Sequence, residues 1–257
     1  MAFIQCNFFS KTLRMNTNIT VIIPSYDLFG WSISPGMKFK TVYLFHGSSG
    51  DCYDWVVKTR IEQYAQARKL AIVMPSVENS YYQNMHRGEK YLSFLTEELI
   101  DFTRTVFPLS DQREDTYTAG LSMGGYGALK VALSKPEQYA KAASLSGSVD
   151  LAFLLKDYDG NEVDPFRLFD IFADPARVEG TDADIIHLIE KLGEERRPLP
   201  ELFLSCGTED FLYPCHLSAK EKLRNINVSA HIEEHPGAHT WDYWDVHIQH
   251  ALDWIVG

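Results

Sequence analysis

The sequence predicts an α/β fold: a mostly parallel central sheet with helices on both faces and a small cap insertion. Three observations predict it. Short, largely apolar runs such as Val42-Tyr43-Leu44-Phe45 and Ala71-Ile72-Val73-Met74 alternate with longer segments of helical periodicity. Those runs have no polar alternation, as strands buried on both faces require. The stretch Tyr117 to Leu129, YTAGLSMGGYGAL, then joins a strand to a helix through a glycine-rich turn. A chain of 257 residues can bury a large core, and no internal repeat or low-complexity linker divides it.

The elements follow in order. Phe3 to Phe9 is an apolar, β-prone start. Asn18 to Pro24 is a second strand, ended by proline. Ser25 to Met37 contains Gly30, Pro35 and Gly36 and reads as a loop. Phe39 to Phe45 is a buried strand that runs straight into His46-Gly47-Ser48-Ser49-Gly50. Trp55 to Ala67 reads as one helix, with Trp55, Ile61 and Tyr64 on similar faces. Leu70 to Pro75 is a short buried strand, followed by the polar, tyrosine-rich loop Ser76 to Met85. Tyr91 to Phe107 is an amphipathic helix, because Leu92, Leu95, Leu99 and Phe102 recur at helical spacing. Asp115 to Ala119 is a strand, and Tyr126 to Leu133 lies in a helix that begins at Met123. Ala140 to Leu145 is a strand that leads into Ser146-Gly147-Ser148.

Asp150 to Pro198 changes character. It is rich in Asp, Phe and Leu, with short helices expected near Phe166 to Phe172 and Ile185 to Leu192. It falls between two strand signals, so it is expected as a cap-like insertion (150–198) over the sheet's functional edge, within one domain spanning 1–257. Leu202 to Gly207 is the next strand, His216 to Asn225 a helix, Val228 to Glu233 the last strand, and Thr240 to Val256 a closing amphipathic helix.

Composition narrows the function. The formal net charge is -11 with no Lys/Arg run, which argues against nucleic-acid partners and anionic membrane surfaces. No run approaches the ~20 apolar residues of a membrane span, and the N-terminus lacks a signal-peptide pattern, so a cytoplasmic protein is expected. The four cysteines, Cys6, Cys52, Cys206 and Cys215, have neither C-x-x-C nor zinc-finger spacing and read as free thiols. Asp157-Tyr158-Asp159-Gly160-Asn161 looks like the start of a calcium loop, but it lacks the full spacing and terminal glutamate and reads as a solvated turn.

The chemistry centres on Gly120-Leu121-Ser122-Met123-Gly124, a G-x-S-x-G at the strand-to-helix turn. Such an elbow holds its serine in a strained conformation and leaves no room for side chains two residues either way. The helix that follows aims free N–H groups at the place where negative charge develops in acyl transfer. A serine needs a base, and the base needs an orienting carboxylate. In such a sheet these groups sit on loops at the carboxyl ends of strands. That rule selects Asp210 as acid, with Glu209 as runner-up, and His239 as base, with His235 as runner-up. Backbone N–H groups of Ser48 and Met123 are the expected oxyanion donors. His46, Tyr82 and Trp241 are expected to border the substrate pocket, with Tyr81 as a further candidate, and Cys52 is a buried or redox-sensitive thiol nearby. No metal or organic cofactor is needed.

These residues carry a resemblance. Leu44 to Gly50 with Trp55, Met74-Pro75, Glu98-Leu99, Ala119 to Ala128, Gly207 to Asp210, and Gly237 to Trp241 with Trp244 resemble the esterase D-like branch of the α/β hydrolases. The likeness is strongest to the small tributyrin esterases. The resemblance implies an α/β-hydrolase fold, a triad of Ser122, Asp210 and His239, a short-chain carboxylester as small-molecule substrate, and homo-oligomers. It departs from the S-formylglutathione hydrolase pattern, because Cys52 lies farther along the oxyanion loop than that subgroup's cysteine. The expected function is therefore serine carboxylesterase. Thioester hydrolysis or acyl transfer to an alcohol are the alternatives, a peptidase is a further one, and a binding protein on a hydrolase scaffold is the non-enzyme reading.

Overall fold

A computed structural model describes residues 1–25, 33–158 and 167–257. Most of the loop expected over 25–37, the Asp159-Gly160-Asn161 part of the calcium-like turn, and Phe166 lie outside the described residues.

Among the described residues, eight strands form one sheet in the order β1-β2-β4-β3-β5-β6-β7-β8. They are β1 Ala2–Ser10, β2 Met15–Ile23, β3 Thr41–Phe45, β4 Ala71–Pro75, β5 Thr116–Leu121, β6 Lys141–Leu145, β7 Glu201–Gly207 and β8 His231–His235. The run from β4 to β8 is parallel, and the β1–β2 hairpin adds antiparallel to β4. Two-residue periodicity then sorts the side chains. In β3, Val42 and Leu44 enter one core and Tyr43 and Phe45 the other; in β4, Ile72 and Met74 oppose Ala71 and Val73. β3 and β4 thus each feed two cores, which is why their sequences show no polar face.

One core is closed by α1 Asp54–Lys58, α2 Ile61–Arg68 and α10 Trp241–Val256, through Trp55, Ile61, Trp244, Ile248 and Leu252. The other core is closed by α5 Met123–Ser134, α8 Ile185–Glu194, α9 Tyr213–Asn225 and a continuous helix over 91–106. That last helix runs as α3 Tyr91–Ser93, a wide π-type turn Phe94–Glu98, and α4 Leu99–Val106. Within the segment 150–198, α6 Leu151–Leu155, α7 Leu168–Phe172 and α8 are formed. Asp150 is fully buried; it caps α6 through Phe153 N–H and binds Ser218 Oγ and Lys222 Nζ of α9 at 2.7 and 2.8–2.9 Å.

Two expectations are corrected. The helix expected over 55–67 is two helices. Thr59 is extended, and its hydroxyl caps the Trp55 carbonyl while accepting from Ile61 N–H at 3.1 Å, so one side chain ends α1 and starts α2. The last strand occupies 231–235, not 228–233. Asn227 is left-handed, and Asn227 N–H and Val228 N–H bond back to the Arg224 and Leu223 carbonyls, so Val228 closes helix α9.

Candidate active site

Ser122 sits between β5 and α5 with φ 54° and ψ −123°. A non-glycine residue in that region is strained, and the surroundings enforce it. Its N–H is tied to Leu145 O at 2.9 Å, and its carbonyl accepts from Gly125 and Tyr126 N–H. A Cβ on Gly120 would stand 2.3 Å from Gly124 O, and one on Gly124 would stand 2.5 Å from His46 O. Strand β3, the elbow and α5 therefore meet backbone to backbone, which is what the two motif glycines permit.

The side chains expected to act together do meet. His239 Nε2 lies 2.9 Å from Ser122 Oγ, and His239 Nδ1 lies 2.9 and 2.8 Å from the two Asp210 oxygens. The Asp210 side chain is fully buried. Burial alone would raise its pKa, but the hydrogen bonds from His239 and Leu212 N–H (2.8 Å) outweigh it and hold the carboxyl below its ordinary value. An ionised Asp210 fixes the tautomer: Nδ1–H donates to the carboxylate, and Nε2 is left to accept the Ser122 proton. The imidazole is gripped by Phe211 and Trp244, with ring centroids at 4.5 and 4.8 Å.

The runner-up residues have other partners. The Glu209 carboxylate binds Gly237 N–H, and Glu209 N–H donates to Gly237 O. With Thr208 N–H to His235 O, the loops after β7 and β8 are stitched together. Glu209 therefore holds the turn that presents His239. His235 is the last residue of β8 and faces Glu233, not Ser122.

Sequence reading missed Ser146. This buried residue has φ 48°, donates its N–H to Ser205 O, accepts from Trp244 Nε1 at 3.1 Å, and supports Asp210. Its signal was present: Ser146-Gly147-Ser148 follows a strand end, as the loops of Asp210 and His239 do.

The Gly47–Gly50 turn passes beside Ser122. It is closed by Gly50 N–H to Gly47 O and by Ser49 N–H to Asn79 Oδ1. A Cβ on Gly47 would strike Leu121 at 2.6 Å and approach Ser122 Cβ at 3.5 Å. Met123 opens α5, so its N–H belongs to the first turn, which has no intrahelical acceptor.

A cavity of about 900 Å³ opens over these groups, lined by Ser48, Ser122, His239 and Trp241 together with Leu154, Leu155 and Leu168. Trp241 and Tyr81 border it. His46 and Tyr82 do not, which corrects their expected place. His46 is buried behind the turn; it accepts from Val77 N–H at Nε2 (3.1 Å) and donates from Nδ1 to Gly47 O (2.7 Å). Burial lowers its pKa, so it stays neutral. Tyr82 is fully buried, with its hydroxyl on His46 O at 2.8 Å. Both brace the turn from behind. Cys52 is likewise buried in the core on the α1 side.

The chain is similar to known proteins along almost all of its length. A family model described as "Putative esterase" matches residues 10–255. An acetyl esterase of Caldicellulosiruptor saccharolyticus is 35% identical over 99% of this chain and 98% of its own. The substrate-bound structure of fluorophosphonate-binding serine hydrolase F (FphF) of Staphylococcus aureus superposes with a TM-score of 0.91 at 38% identity, covering 100% of this chain and 98% of that one. S-formylglutathione hydrolase (FrmB) of Staphylococcus aureus superposes at 0.87, also with 38% identity, covering 100% and 99%.

Proposed function

The chain belongs to this esterase family and is a carboxylic ester hydrolase of α/β-hydrolase fold; from that premise we propose that it cleaves short-chain acyl esters through an acyl-enzyme on Ser122. The observation that carries this reading is the continuous chain Asp210–His239–Ser122, at 2.8 and 2.9 Å, opening into the apolar-walled cavity.

In the proposed mechanism His239 Nε2 takes the Ser122 proton as Oγ attacks the ester carbonyl. The oxyanion accepts from Ser48 and Met123 N–H. The tetrahedral intermediate collapses, and the alcohol leaves with the proton from His239. Water then attacks the acyl-enzyme, giving its proton to His239, and the acid is released as Ser122 is reprotonated. Asp210 stabilises each transient imidazolium. Leu154, Leu155 and Leu168 offer an acyl chain an apolar wall, which supports a carbon-chain acyl group over a charged one.

The test is hydrolysis of p-nitrophenyl esters from acetate to dodecanoate. Ser122→Ala is expected to lower kcat by about a thousandfold or more with the fold kept. Equal activity in both proteins would overturn the assignment. The similarity to an S-formylglutathione hydrolase favours a second reading, thioester hydrolysis. S-formylglutathione assayed beside p-nitrophenyl acetate separates the two by kcat/KM.

A further inference from the structure

A second cluster of reactive side chains lies outside the mechanism. Glu233 and His235 are alternate residues of β8 and so leave the same face of that strand. His247 and His250 are three residues apart on α10 and share one face of that helix. The fold lays the two faces together, so one ligand atom from each of the four lies within 4.8 Å of all the others. Three ring nitrogens converge on Glu233 Oε2: His250 Nδ1 at 2.8 Å, His235 Nε2 at 3.4 Å and His247 Nδ1 at 3.8 Å. The first is a hydrogen bond. His235 Nε2 and His247 Nδ1 are buried and have no hydrogen-bond partner. Glu233 Oε1 is 3.2 Å from His231 Nε2, which orients the carboxylate from outside.

Buried nitrogens aimed at a carboxylate without a bond are costly unless something satisfies them. We propose that Glu233, His235, His247 and His250 bind one divalent transition-metal ion of the zinc class. Three imidazoles and one carboxylate are a donor set that suits such an ion, whereas calcium and magnesium prefer oxygen alone. Metal–ligand bonds of about 2.0–2.2 Å place the donors of a tetrahedral site roughly 3.4 Å apart, so the widest pair of the cluster need close by no more than about 1.4 Å. His247 is buried while His235 and His250 are half open, which gives an ion a way in. The bound ion fastens β8 to α10, the two elements that flank the loop bearing His239.

The test uses the full chain, stripped with chelator and dialysed against zinc chloride, with metal content, Tm and the visible spectrum of the cobalt(II)-loaded protein as readouts. One equivalent of zinc per chain, a Tm that rises with zinc but not with calcium or magnesium, and a tetrahedral cobalt spectrum are expected. His250→Gln and Glu233→Gln, two partly exposed positions, are expected to weaken zinc binding about tenfold or more while circular dichroism stays native. No retained zinc, or zinc held equally by both variants, would overturn the proposal.

Discussion

Ser122 pays for its exposure with a backbone conformation that few side chains tolerate, and its neighbours decide what that exposure achieves. The carboxylate pair at 209–210 separates two roles that sequence alone left open. Asp210→Asn keeps the shape but favours the wrong imidazole tautomer, and kcat is expected to fall about 10⁴-fold. Glu209→Gln keeps an acceptor oxygen for Gly237 N–H and loses only the charge, and kcat/KM should stay within about tenfold of wild type. Steady-state kinetics on one ester decides both; equal losses would mean that the two carboxylates share the acid role. That Ser122, Asp210 and His239 meet was legible because each lies after a strand end of the sheet. Ser146 also follows a strand end, but its support of a carboxylate was not legible, because such a serine looks like any turn serine. His46 and Tyr82 were misplaced because a position after a strand end does not say whether a side chain faces the cavity or the core behind it.

At the scale of elements, the fit between β3 and the elbow leaves no slack. Gly124→Ala would drive a Cβ into the carbonyls of Phe45 and His46, at 2.6 and 2.5 Å. Backbone cannot swing aside, so a stability loss of about 1–3 kcal/mol and a kcat/KM loss of about a hundredfold are expected from urea titration and kinetics. Glu98, at the end of the π-type turn, holds the β1–β2 hairpin: its carboxylate accepts from Ser10 Oγ, Lys11 N–H and Thr12 N–H at 2.6–2.9 Å. Burial would raise its pKa, but those bonds win and lower it. A carboxyl whose folded pKa is depressed stabilises the protein above its unfolded pKa, about 4.3, and loses that contribution as pH falls through the folded value. Glu98→Gln should therefore cost about 1–3 kcal/mol at pH 7, a gap that closes below about pH 4 in urea midpoints. A gap independent of pH would assign the effect to shape alone. Strands β3 and β4 were legible because burial on both faces writes an unbroken apolar run. Strand β8, at the edge with only one neighbour, has no such run, and the helix break at Thr59 depends on one hydroxyl that periodicity does not register.

For the whole molecule, parallel order followed from the alternation of strands and helices, but the cavity did not, because its walls come from segments far apart in the chain. Leu155 of α6 and Leu168 of α7 reach over the site, and the turn before α8 is fastened to α5 by Lys130 Nζ on Asp182 O. Leu168→Ala opens the acyl wall, so the ratio of kcat/KM for octanoate over butyrate p-nitrophenyl esters should rise about three- to tenfold; an unchanged ratio would place the acyl chain elsewhere. The stitching of the loops after β7 and β8 has one more consequence. Asp210 and His239 travel as a single cassette: a protein engineer moving this pair to another scaffold must transplant both loops in one piece, since either alone would arrive without the template that gives it shape.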